Sequence, residues 1–118
     1  YLLRNLKELV EYAEKLGVMV GIEGVWMFVI NSPKKMRRLL DDLNSPNVLV
    51  IFDPVNLLNA SNCKDQDKMI DEMFELLGNE ISVLHLKDFI IDDEGVLRST
   101  LPTEGHLNIK KILTFVMK

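Results

Sequence analysis

Residues 48–53, VLVIFD, decide how this chain folds. Five apolar residues in succession, with no polar alternation, suit a strand buried on both faces of a parallel sheet rather than one with a wet side. The run stops at Asp53, and Pro54 behind it cannot extend a central ladder. A carboxylate therefore closes a buried strand. Upstream, Asn44 to Asn47 make a turn, and before it Ser32 and Pro33 read as an N-cap with proline at the first helical position. Met36, Leu39, Leu40 and Leu43 give that helix its apolar stripe.

The pattern repeats further out. Residues 18–23, VMVGIE, form a second apolar run ended by an acid, Glu23. Ahead of it Leu2, Leu3, Leu6, Leu9, Val10, Ala13 and Leu16 recur at spacings of three and four and predict a helix stopped by Gly17. On the other side, residues 57–66 are rich in Asn, Asp and Ser and read as a loop. Met69, Ile70, Met73, Phe74 and Leu77 then mark a helix closed by Gly78. A third strand runs from Ile81 to Leu86 with His85 near its end. A long polar loop is expected from Lys87 to Gly105, and Asn108 caps a last helix through Ile109, Ile112, Leu113 and Val116.

Helices and strands thus alternate, four helices with three strands, and short connections between them require right-handed crossovers and a parallel sheet. The class is α/β. A repeat of about 30 residues matches βα units, whereas a complete (β/α)8 TIM barrel needs about 250 residues. Residues 1–118 are therefore expected to form part of a single TIM-barrel domain. The chain opens on Tyr1 and shows no basic segment leading into an apolar signal core, so it is read as an excerpt of a longer product. Three parallel strands leave two hydrophobic edges without partners, which a larger parent or a second copy in a homo-oligomer would cover.

Composition narrows the function classes. The 118 residues are 47% hydrophobic and 27% charged, enough apolar material for one core and too much for a disordered tail. A net charge of -4 and a pI near 5.1 supply no positive field for a phosphate backbone, so nucleic acid is not an expected partner. Glu23 and Asp53 interrupt the most apolar runs, leaving no stretch of the roughly 20 residues that span a bilayer. The single cysteine, Cys63, cannot form an internal disulfide and points to a reducing compartment, the cytoplasm.

In a βα barrel the carboxyl ends of all strands open onto one face, and Glu23, Asp53 and His85 occupy three such ends. Singly, a strand-end acid is often a helix cap, and a histidine an ordinary hydrogen-bonded core residue. Three in register point to a site. Two carboxylates and an imidazole suit a divalent cation of the Mn, Mg, Co or Zn kind, with positions left for water and substrate oxygens.

The segments GVMVGIEG (17–24), NVLVIFDPVNLLNASN (47–62) and ISVLHLKDF (81–89) together resemble successive motifs of the xylose isomerase-like sugar phosphate isomerase/epimerase family. The resemblance implies that Glu23, Asp53 and His85 are ligands of one divalent metal, on the fifth, sixth and seventh strands of the barrel. It implies that strands one to four and strand eight lie outside this stretch. A fourth ligand, a glutamate on strand eight, is then absent, and the chain by itself is expected to be inactive. It further implies a sugar or sugar phosphate substrate and proton transfer through an enediolate, with Glu23 as ligand and acid/base. Asn56 stands where many members carry a histidine touching substrate or metal.

Lys87 can steady a substrate oxygen or pair with a neighbouring carboxylate, Trp26 can wall the sugar pocket or pack the barrel mouth, and His106 matches no ligand position of the family. Rival readings are an inosose-type dehydratase on a similar barrel, a non-catalytic binding domain that kept the barrel, and a metal-dependent DNA repair endonuclease. The last needs more metal-binding histidines and a basic groove, and the acidic pI and Asn56 oppose it.

Overall fold

The computed structural model describes all 118 residues. Its elements are α1 (Leu2–Leu16), β1 (Val20–Glu23), α2 (Pro33–Leu43), β2 (Val48–Phe52), α3 (Gln66–Leu77), β3 (Ile81–Leu84), β4 (Asp88–Ile91), β5 (Leu97–Thr100) and α4 (Ile109–Val116). Strands β1, β2 and β3 form one sheet in that order, and both pairings are parallel. The expected alternation of four helices with three parallel strands is what the chain adopts, as an incomplete TIM-barrel arrangement.

The caps behave as their residue types require. Ser32 Oγ accepts from the Lys35 N–H and Pro33 opens α2, while Asn108 Oδ1 accepts from the Lys111 N–H at the start of α4. Gly17 ends α1 in the left-handed conformation, φ 68°, which a glycine enters without a Cβ clash.

Alternation along β2 sorts its side chains. Val48, Val50 and Phe52 are buried among Leu39, Leu40, Leu43, Ile70, Met73 and Leu77 of α2 and α3, while Leu49 and Ile51 face the other side and stay partly exposed. On that inner side Gly21 lies against Ile51: a Cβ there would meet Ile51 Cδ1 at 2.7 Å. The same alternation carries Glu23 and Asp53 onto the inner side at the carboxyl end. A register shift between Val50 and Ile51 pairs Ile51 with Val83, which puts His85 in phase with them.

The region 87–105 departs from the expected irregular loop. It contains a two-stranded antiparallel hairpin, β4–β5, paired from Asp88↔Thr100 to Ile91↔Leu97. Asp92 builds its turn: the carboxylate accepts from the N–H groups of Glu94 and Val96 and from Arg98 Nε, and Gly95 takes φ 78°. The loop at 57–66 is likewise more ordered than its composition suggests, with 3-10 turns at Val55–Leu57 and Cys63–Asp65. Strand β2 coincides with its apolar run, whereas β1 begins at Val20, two residues into the run from Val18, and β3 ends at Leu84 rather than Leu86.

Candidate metal centre

Glu23 is the last residue of β1, Asp53 follows β2 directly, and His85 follows β3 with its N–H still bonded to the Phe52 carbonyl at 2.9 Å. One potential ligand atom from each lies within 4.8 Å of the other two. A divalent ion holding oxygen and nitrogen at about 2.1 Å spaces its ligands about 3 Å apart when adjacent and about 4.3 Å when opposite. Shifts of at most about 2 Å bring the three atoms to those spacings. Two anionic oxygens and one nitrogen are the donor types such an ion takes, so the residues fit the group.

The three differ in burial. Asp53 is 4% exposed, the Glu23 side chain 30% and that of His85 52%, so the triad runs from the core out to solvent. His85 Nδ1 lies 3.1 Å from Glu23 Oε1. Asp53 is held from two sides: its Oδ1 accepts from the Asn56 N–H at 3.2 Å, and its Oδ2 sits 3.0 Å from Lys87 Nζ. The Lys87 ammonium also donates to Asn56 Oδ1 at 2.7 Å. Of the two partners considered for Lys87, the neighbouring carboxylate is the one it touches.

Trp26 stands on the loop after β1, tied by its N–H to the Asn56 carbonyl at 2.8 Å. Its indole walls a cleft of about 400 Å³ with Leu58 to Ser61 and the hairpin residues Gly95 to Leu97. His106 is exposed and outside the triad; its ring lies edge-on to Phe89 at 6.0 Å. Cys63 is a free, partly buried thiol.

One acid whose part the motif does not reveal is Asp88, 1% exposed. Its carboxylate accepts from three backbone N–H groups, those of Phe89, Leu107 and Gly105. It thereby fastens the 105–107 turn to β4, beside the strand end that carries His85 and Lys87. Its place in HLKD marks it as following the candidate ligand strand, but its partners in that turn, 17 and 19 residues on, leave no local signal.

A parallel βα sheet that brings two carboxylates and an imidazole together at its carboxyl end has the layout of a segment of a TIM barrel. The description "Xylose isomerase-like TIM barrel" matches residues 1–117, and the chain belongs to that family. It is similar in structure to a xylose isomerase domain protein from Planctomyces limnophilus, with TM-score 0.77, 19% identity, and coverage of 98% of this chain and 41% of that one. A xylose isomerase-like TIM barrel protein from Mycobacterium smegmatis in complex with magnesium gives TM-score 0.72, 19% identity, and coverage of 98% and 39%. The chain thus spans about two fifths of each of these proteins. Among curated proteins none matches. No helix is long and apolar enough to cross a membrane.

Proposed function

We propose that this chain carries part of the active centre of a metal-dependent isomerase or epimerase acting on a sugar or sugar phosphate. The observation that supports it is the convergence of Glu23, Asp53 and His85, from three successive strand ends, within 4.8 Å. The family includes sugar isomerases and epimerases, and a similar structure is in complex with magnesium.

In this reading Glu23, Asp53 and His85 hold a divalent cation, Mn, Mg, Co or Zn. Bound there, it would supply positive charge to neighbouring oxygens of the sugar and lower the cost of enediolate charge. Glu23 takes the proton from the carbon next to the carbonyl and returns it, a task suited to a carboxylate that is only partly buried. His85 orients that carboxylate through the 3.1 Å contact. Asn56, through its side-chain NH2, and Lys87, through the one ammonium hydrogen that Asp53 and Asn56 leave free, donate to sugar oxygens, and Trp26 offers its indole as an apolar wall to the sugar's C–H face. The expected setting is the cytoplasm, with a small-molecule sugar or sugar phosphate as partner, a second copy of the chain as a further one, and neither nucleic acid nor membrane. Residues 1–118 form part of one barrel domain.

Exchange of the substrate's α-proton with solvent needs only one acid/base group, whereas net isomerisation must also deliver a proton to a second carbon. Proton NMR of a panel of ketoses and their phosphates in D2O with Mn²⁺ therefore tests the reading on this chain. Deuterium should enter next to the carbonyl of one class of sugar and stop in Glu23→Gln. Sugar binding without any exchange would favour a non-catalytic binding domain.

A further inference from the structure

We propose that Lys87 is a resident counter-cation of the centre: it neutralises the buried Asp53 carboxylate when no metal is bound, and thereby limits how tightly a metal can bind. The inference rests on the metal reading above and concerns this chain's own residues.

Asp53 is 4% exposed, and a carboxylate that far from water is costly unless paired. Its partners are two. The Asn56 N–H supplies a dipole at 3.2 Å, and Lys87 supplies the one full positive charge in contact with it, at 3.0 Å. Asn56 closes the arrangement into a ring, since its side-chain oxygen accepts from the same ammonium at 2.7 Å while its N–H faces Asp53. Lys87 is thus fixed by two acceptors. Its side chain is 32% exposed, so it is neither a free surface lysine nor a fully buried one.

An ion on either oxygen of Asp53 would stand within about 5 to 7 Å of Lys87 Nζ, from the 3.0 Å contact and an ordinary metal–oxygen bond. Two positive charges on one ion and one on the ammonium repel at that range. Even with the screening of bulk water the repulsion amounts to about a tenfold change in affinity. The same charge that weakens the ion's hold makes the metal-free centre tolerable. Lys87 is therefore a positioning residue with opposite effects on the two states: it stabilises the empty centre and disfavours the filled one.

The test is isothermal titration of Mn²⁺ into the wild type, Lys87→Met and Lys87→Arg, with thermal unfolding of each with and without Mn²⁺. Lys87→Met should bind Mn²⁺ about tenfold more tightly, while its metal-free form melts about 5 °C lower and saturating Mn²⁺ restores the difference. Lys87→Arg, which keeps the charge, should stay close to wild type in affinity. Should the methionine variant fail to fold, Lys87→Gln keeps a donor for the two acceptors and removes only the charge. Equal or weaker binding by the uncharged variants would overturn the proposal and leave the metal site standing, with Lys87 merely aiming Asp53. An absence of Mn²⁺ binding in every form would overturn the metal reading first, and this role with it.

Discussion

His85 Nδ1 lies 3.1 Å from Glu23 Oε1, although the two residues are 62 apart in sequence and their strands are not neighbours. The contact spans the end of β2, where Asp53 completes the cluster. It is possible because Glu23 and Asp53 share the inner side of the sheet and the register shift at Val50/Ile51 rotates β3 into phase with them.

Removing this contact should separate binding from stability. Both side chains are solvent-accessible, and such pairs are worth about 0–1 kcal/mol. His85→Ala should therefore lower urea stability by less than about 1 kcal/mol. Its Mn²⁺ affinity, read by titration calorimetry, should fall by more than about tenfold, since loss of supporting groups alone has effects of that size.

Asp88 should behave in the opposite way. Its three backbone donors lose their acceptor in Asp88→Ala, and a Cβ on Gly105 would fall onto the Phe89 carbonyl oxygen and lie 2.6 Å from Asp88 Oδ1. Each of Asp88→Ala and Gly105→Ala should cost about 2–4 kcal/mol in urea unfolding at neutral pH. A loss below about 0.5 kcal/mol would show that the 105–107 turn is held by other means.

The hairpin should loosen in acid. The hydrogen bond from Arg98, then that from the Val96 N–H, holds the Asp92 carboxyl below the ordinary aspartate range. A group whose pKa is lower in the folded state adds stability above its unfolded value, about 4, and that stability is lost as pH falls from there through the lower folded value. Amide exchange at Glu94 and Val96 should accelerate over that window relative to the amides of β2. Asp92→Asn should show the faster exchange already at neutral pH.

Trp26 is the only tryptophan in the chain and is 43% exposed at the cleft, so its emission reports on that site alone. Addition of a sugar that supports proton exchange should shift or quench it, with saturation. Trp26→Ala should weaken sugar binding while changing stability by less than about 0.5 kcal/mol, as expected at an exposed position. Emission indifferent to every sugar that exchanges would place the indole outside the sugar site.

How far the sequence carries depends on how local each signal is. The ends of β1 and β2 are legible because each is an apolar run broken by one acid, a pattern contained within six residues. Ser32, Pro33 and Asn108 announce their helices for the same reason. The hairpin is harder to read: its strands have four residues each, and the acid-rich turn at Asp92 to Gly95 resembles loop composition. The clue was Gly95 between two short runs rich in β-formers, Phe89 to Ile91 and Val96 to Leu97. The ring of Asp53, Asn56 and Lys87 leaves no local trace, since Asn56 and Lys87 are 31 residues apart and meet only once β2 and β3 pair. Asp88 is similar; nothing in HLKD says that its carboxylate collects N–H groups from residues 105 and 107.

The central claim is that Glu23, Asp53 and His85 hold one divalent cation. Titration of the chain with Mn²⁺, followed by loss of the free-ion EPR signal and repeated on Asp53→Ala, tests it most directly. The account predicts saturable uptake of one ion per chain, abolished by that substitution. Uptake that is unchanged in Asp53→Ala, or no uptake by the wild type, would contradict it.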